Sequence, residues 1–331
     1  MSRPWPTGAV TGIGSLPGTD PADAAALVFG ELPDLPHLPE LPERGAGGDM
    51  IGRTAALLVD LPVELVPSGW QIAAHPGRDL RRASDLLARD LDALQNAAGG
   101  YSGALKLQAA GPLTLAAAVE LRTGHKVVSD AGALRDLTES LAEGLAGHLA
   151  DAAARLPGAP LVLQLDEPSL PAVLAGEIRT PSGYGTVRAL DRQVVEQSVR
   201  TVLGVAPPGG RVVHSCAAGT PIGLLTAAGA DAVGVDASLL GVPDYDALGE
   251  AVEAGVALWL GVVPATDSDV TLDRARGPIR RMWSELGFDP ELLATTVVAT
   301  PTCGFAGASP GYVRRALAVL REVGRNSLDP S

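Results

Sequence analysis

The sequence is short of several things, and each shortage closes a class of function. Its 331 residues hold only two cysteines, Cys216 and Cys303. That is too few for a disulfide framework and leaves at most one bridge. Basic residues are outnumbered, 25 Lys and Arg against 38 Asp and Glu, for a net charge of −13. A surface for nucleic acid or anionic lipid needs concentrated Lys and Arg, so neither partner is expected. No apolar run approaches the roughly 20 residues that span a bilayer, and the first eight residues lack the apolar centre of a signal peptide. A soluble, cytoplasmic protein working on small molecules is the expectation. No low-complexity linker, composition break or short repeat interrupts the chain, so residues 1–331 are read as one domain. Gly12-Ile13-Gly14-Ser15 has neither the glycine spacing of a dinucleotide fingerprint nor a basic residue for phosphate.

What the chain does have is 46% hydrophobic residues, enough for a core that needs no staple, and a regular alternation of patterns. Short apolar strands are expected at 8–15, 104–109, 160–165, 211–216, 231–235, 256–263 and 296–300, with a further strand or irregular piece at 64–74. Helical spacing intervenes at 21–29, 49–63, 78–98, 129–156, 192–203, 221–228, 245–254, 271–286, 290–293 and 309–323. About eight strands alternating with helices imply an α/β fold with a parallel sheet closed as a (β/α)8 TIM barrel. Residues 31–43 carry prolines at 33, 36, 39 and 42, which excludes helix and central strand. This stretch, continuing through the glycines to 48, is expected as an extended, polyproline-like loop near the active-site face.

Chemistry concentrates at Arg211–Cys216. His214 and Cys216 are two apart on a strand, so they share a face. Imidazole and thiolate are good zinc ligands. Cys303 closes another strand, and Ser15, Asp166 and Asp236 also stand at C-terminal strand ends, the face where barrel active sites lie. A catalytic zinc (Zn2+) keeps three protein ligands and one open position. His214, Cys216 and Cys303 supply three, with Asp236 as candidate fourth. Two thiolates already neutralise the dication, so such a zinc would hold an incoming thiolate better than it would activate water. The bland alternative is that both cysteines are inert buried hydrophobes.

With these motifs in view, the chain resembles the catalytic C-terminal barrel of cobalamin-independent methionine synthase. The likeness rests on Ile13-Gly14-Ser15, Gly111-Pro112-Leu113-Thr114, Gln164-Leu165-Asp166-Glu167-Pro168, His214-Ser215-Cys216 and Cys303-Gly304, in that order. The resemblance implies methyl transfer to the thiol of homocysteine or a similar small thiol. It further implies that Ile13, Gly14 and Ser15 bind the substrate carboxylate, that Asp166 takes its amino group, and that His214, Cys216 and Cys303 ligate zinc. A second substrate-binding acid is expected before Asp49-Met50, at Glu43 or Glu40.

The sequence departs from the family in three ways. Asp236 stands where a glutamate ligand is usual. Pro264-Ala265-Thr266-Asp267 replaces a histidine that would protonate the leaving group, leaving Asp267 as the nearest acid. A sequence of this length is expected to form one barrel, without the second one that binds a folate donor. The methyl donor is therefore expected to be folate or a methyl-corrinoid, possibly protein-bound, the latter being preferred because it leaves without a proton. His37, His75, His125 and His148 are read as surface or loop residues, with His37 in the proline loop nearest the site. Two rivals stand: a metal-free decarboxylase or hydrolase like uroporphyrinogen decarboxylase, working through Asp166 and Asp236, and a non-catalytic relative that binds zinc or an amino acid.

Overall fold

The computed structural model describes residues 3–327. A small antiparallel hairpin, β1 (Val63–Val66) and β2 (Gly69–Ile72), stands apart from the main sheet. The main sheet is parallel and pairs six strands in chain order: β3 (Leu105–Ala110), β4 (Leu161–Asp166), β5 (Arg211–Ser215), β6 (Ala232–Asp236), β7 (Ala257–Val263) and β8 (Val297–Pro301). Helices make every crossover between them. These strands are near-continuous apolar runs because both faces are covered. Leu105, Leu107, Leu163, Leu165, Val213, Val233, Leu258 and Leu260 pack outward beneath the helices.

Six of the eight expected strands pair in the sheet, the one expected at 8–15 is only bridged to its edge, and the piece at 64–74 is the separate hairpin, so the sheet is a six-stranded parallel one and not the closed eight-stranded barrel expected. Val10 bridges Ala299 of β8, His37 bridges Lys106 of β3, and Ser15 bridges Glu40. Residues 9–16 and 35–41 thus lie side by side between the outer strands of the sheet. The stretch expected as a proline loop is extended, as read, but it is not a surface excursion: Leu35, Leu38 and Leu41 are buried. Pro36 and Pro39 have no N–H, so pairing falls to their neighbours. The Leu38 amide donates to Lys106 O at 3.0 Å, and the Glu40 amide to Gly14 O at 3.1 Å. Lys106 N in turn donates to Pro36 O. Alternate residues can therefore pair although every third is proline.

On the inner face the period of two sorts residues by height. Ala104, Val162, Val212, Ala232, Ala257 and Val298 form one apolar layer with Ala9, Leu35 and Trp259, floored by Trp5 edge-on to Trp259 at 5.3 Å. Two residues further along three of those strands the inward side chains become polar: Lys106, Gln164 and His214. The site is built on this dry floor.

Other differences are local. The helix expected over 49–63 runs only Met50–Ala55, and the chain then turns with Asp60 at a left-handed φ of 54°. The segment at 64–74 is the β1–β2 hairpin. Between these pieces Arg44 makes a two-pronged pair with Asp90, 2.7 Å for each hydrogen bond, and Arg53 donates to the same carboxylate. This buried cluster ties the glycine-rich stretch at 44–48 to the long helix Arg78–Ala98.

Candidate functional site

Register brings the polar residues of β4 and β5 together, with Asp166 paired to His214 across the sheet. The imidazole Nδ1 of His214 lies 2.8 Å from Asp166 Oδ1. That oxygen also accepts from Gln164 Nε2 at 2.8 Å. All three side chains are buried. With Nδ1 engaged, Nε2 is the free end of the ring, and it is buried without a hydrogen-bond partner. A carboxylate behind a histidine is the arrangement that fixes tautomer and ring orientation for metal ligation.

Cys216, just past β5, and Cys303, just past β8, meet at this end of the sheet. Their Sγ atoms are 3.3 Å apart and both thiols are free. The hydrogen bond between them and the nearby His214 bring the Cys303 thiol down to about 6 against burial, while the same bond and burial push Cys216 up. Two polarised thiols and an orphaned buried imidazole nitrogen are donors of the type zinc prefers. Among the described residues, however, no three His, Cys, Asp or Glu side chains are grouped closely enough to hold a metal ion as they stand. Asp236, the expected fourth ligand, accepts from the backbone and hydroxyl of Ser238 at 2.8 and 2.7 Å.

The Ile13-Gly14-Ser15 segment is held at the same end. Phe305 N donates to Ser15 O at 2.8 Å, and a Cβ on Gly304 would collide with the Ser15 hydroxyl. Glycine after Cys303 therefore leaves room for the Ser15 hydroxyl in this rotamer. Ser15 in turn bridges Glu40. Glu40 is buried and accepts from Gln108 Nε2 at 3.2 Å. Burial raises Glu40 to about 7 against the pull of Arg53, with Asp166 adding to the rise. Of the two acids weighed for substrate binding, Glu40 is thus the one beside Gln108 and in the field of Asp166. Glu43 points elsewhere and accepts from Gly18 N at 2.9 Å.

Glu167 explains why two of the motifs occur together. Its carboxylate accepts from Leu113 N at 2.9 Å and from Thr114 N and Oγ1 at 2.8 and 2.7 Å. It thereby caps the helix Pro112–Ala118, and a Cβ on Gly111 would collide with it. Burial lifts Glu167 to about 7 against those hydrogen bonds. Asp267, the nearest acid to the missing histidine, is held by Ser309, whose hydroxyl accepts from Tyr312 N at the start of the last helix. The Asp267 carboxylate accepts from Ser309 N and Oγ at 2.7 and 2.6 Å, which hold it below its ordinary range although it is exposed.

Two histidines read as surface or loop residues are buried instead. His37 is 1% exposed and His148 is 6% exposed, whereas His75 and His125 are exposed. His37 turns inward from the proline segment into space left by Gly12, and burial holds it well below its ordinary value. His148 faces the core from the helix Ala131–Arg155. Lys106 and Gln108, which the motif reading passed over, are inside the site. Their signal was a charged and an amide side chain two apart in an otherwise apolar strand.

The sequence profile described as "Cobalamin-independent synthase, Catalytic domain" matches residues 5–326. The chain belongs to this family. No curated protein matches it in sequence. Among solved structures, a B12-independent methionine synthase from Shewanella sp. W3-18-1, in complex with selenomethionine, gives a TM-score of 0.59 at 13% identity, covering 98% of this chain and 99% of that one. A GH5_18 protein from Streptomyces cattleya, in complex with GlcNAc, gives 0.48 at 14% identity, covering 98% and 81%, a score too low to argue from. The Shewanella protein has this chain's fold. No helix among the described residues is long and apolar enough to cross a membrane.

Proposed function

We propose that this protein is a zinc-dependent methyltransferase, a single catalytic (β/α)8 barrel whose first two staves are the bridged segments 9–16 and 35–41. Its acceptor is the thiol of homocysteine or a close analogue. The observation that carries this reading is the meeting of the Cys216 and Cys303 sulfurs at 3.3 Å beside a buried, unpartnered His214 Nε2. Cys216, Cys303 and His214 would hold the metal; Asp236, turned to Ser238, is the least committed of the ligands that the sequence offers. A bound zinc ion supplies acidity, so that an incoming thiol is present as thiolate at neutral pH.

The other residues bind and orient. Asp166 and Glu40 offer carboxylates to the substrate ammonium, and hydrogen bonds between ionised partners are the strong ones. The Ile13-Gly14-Ser15 turn takes the carboxylate through backbone amides and the Ser15 hydroxyl. Asp166 has a second duty, holding the His214 ring at Nδ1. Asp267 is engaged by Ser309 and kept ionised, so it is not poised to protonate a leaving group. That favours a donor whose leaving group departs unprotonated, as a methyl-corrinoid does, over a methylfolate. The extent of the chain does not bear on this choice, since the Shewanella protein has the same extent.

The test is methyl transfer by zinc-loaded protein to homocysteine, run in parallel with a methylcorrinoid and a methylfolate. Methionine should form with the corrinoid, and not in metal-free protein. Equal turnover without metal, or no methionine from either donor, would contradict the reading.

A further inference from the structure

The chain contains two lysines, Lys106 and Lys126, all other basic side chains being arginine or histidine. One of the two is fully buried: Lys106, on the inner face of β3, has no exposed surface. A cation in the middle of a sheet is costly unless its donors are all satisfied. Its ammonium donates to Ile13 O at 2.7 Å, to Gln164 Oε1 at 2.7 Å and, more weakly, to Gln108 Oε1 at 3.5 Å. No carboxylate touches it directly; burial brings it down to about 7, against the fields of Asp166 and Glu40, which favour the ammonium.

The chemistry of an ammonium makes this arrangement directional. It has three donors and no acceptor, so any amide beside it must present oxygen. Gln164 and Gln108 both do, and each is thereby obliged to aim its NH2 away from the lysine. The Gln164 amide then donates to Asp166 Oδ1 at 2.8 Å and to Ile13 O at 2.9 Å. The Gln108 amide donates to Glu40 Oε1 at 3.2 Å and to Leu38 O. Flipping either amide would put oxygen against a carboxylate and NH2 against the ammonium. One cation therefore fixes two amides, and each amide supports one of the two carboxylates.

We infer that Lys106 is a positioning residue for amino-acid recognition: by setting the orientation of Gln164 and Gln108, it holds Asp166 and Glu40 ready for a substrate ammonium and pins the Ile13 carbonyl beside them. It touches no substrate itself. The inference rests on the reading of Asp166 and Glu40 given under Proposed function. It predicts a selectivity for the amino group that depends on a residue outside the binding surface.

The experiment is calorimetric binding of homocysteine and of 4-mercaptobutanoate, its analogue without the amino group, to zinc-loaded wild type and Lys106→Met. Wild type should prefer homocysteine, and the variant should lose about tenfold or more of that preference, with 4-mercaptobutanoate affinity little changed. A lysine that merely stabilised the fold would lower the melting temperature but leave the ratio of the two dissociation constants alone. If Lys106→Met does not fold, Lys106→Gln serves: a neutral amide can donate or accept, so it no longer obliges either glutamine to present oxygen, and the same loss is expected. Undiminished preference in the folded variant overturns the role of Lys106. Absence of preference in the wild type would instead overturn the ammonium site itself, so the two failures are distinguishable.

Discussion

Asp166 Oδ1 stands 2.8 Å from His214 Nδ1 and 2.8 Å from the Gln164 amide, so one oxygen joins the imidazole to the glutamine pair around Lys106. On the proposed function Asp166 is therefore bifunctional, and two substitutions separate its duties. Asp166→Asn keeps an oxygen for the imidazole N–H and should retain zinc while weakening homocysteine binding about tenfold or more. Asp166→Ala frees the ring and should also lower zinc affinity roughly 10–100-fold, as losses behind a metal-ligating histidine do. Chelator competition and calorimetry on the two variants check this. Equal zinc affinity in Asp166→Ala would remove the support of His214 from the account.

The choice between the two neighbouring acids is sharp. Glu40→Gln should weaken homocysteine binding by about tenfold, because Glu40 is buried beside Gln108 in the field of Asp166. Glu43→Gln should leave it unchanged, since Glu43 holds only the Gly18 amide. The reverse order of effects would move the second carboxylate to Glu43.

Glu167 is a structural group with a pH signature. Glu167→Ala leaves the Leu113 and Thr114 amides without their acceptor, at a cost of about 2–4 kcal/mol. Because burial raises Glu167 from 4.5 to about 7, the folded protein holds this proton more tightly than the unfolded chain does. Its contribution is therefore largest at acidic pH and declines as pH rises from 4.5 through 7. The stability gap between wild type and Glu167→Ala, measured by denaturant titration across that range, should narrow as pH rises. A gap that widens would mean that Glu167 is ionised in the fold throughout.

Much of this arrangement was legible in the chain. Strand periodicity placed His214 and Cys216 on one face, and the strand-end positions of Asp166 and Cys303 were visible without coordinates. Residues 35–41 misled, because proline every third residue reads as loop. Only pairing through Leu38 and Glu40, with Pro36 as acceptor, shows that the segment lies within the fold. For the same reason the sequence places His37 in a surface loop, whereas it is buried. Lys106 is easily passed over for a different cause: a single charge in a short strand ordinarily marks a solvent-facing position, and the parallel register that sets Gln108 beside Gln164 shows it turned inward. The helix-capping role of Glu167 was hidden because it depends on a contact between residues 53 positions apart.

The metal is the central claim, and metal analysis tests it most directly. Protein purified without chelator or histidine tag, beside Cys216→Ser and Cys303→Ser, should be analysed for zinc, with circular dichroism to confirm that the variants fold. About one zinc per wild-type chain is expected, as a three-ligand catalytic site requires, with its loss from both folded variants. Wild-type protein that takes up no zinc under reducing conditions, or variants that keep it in full, would contradict the account.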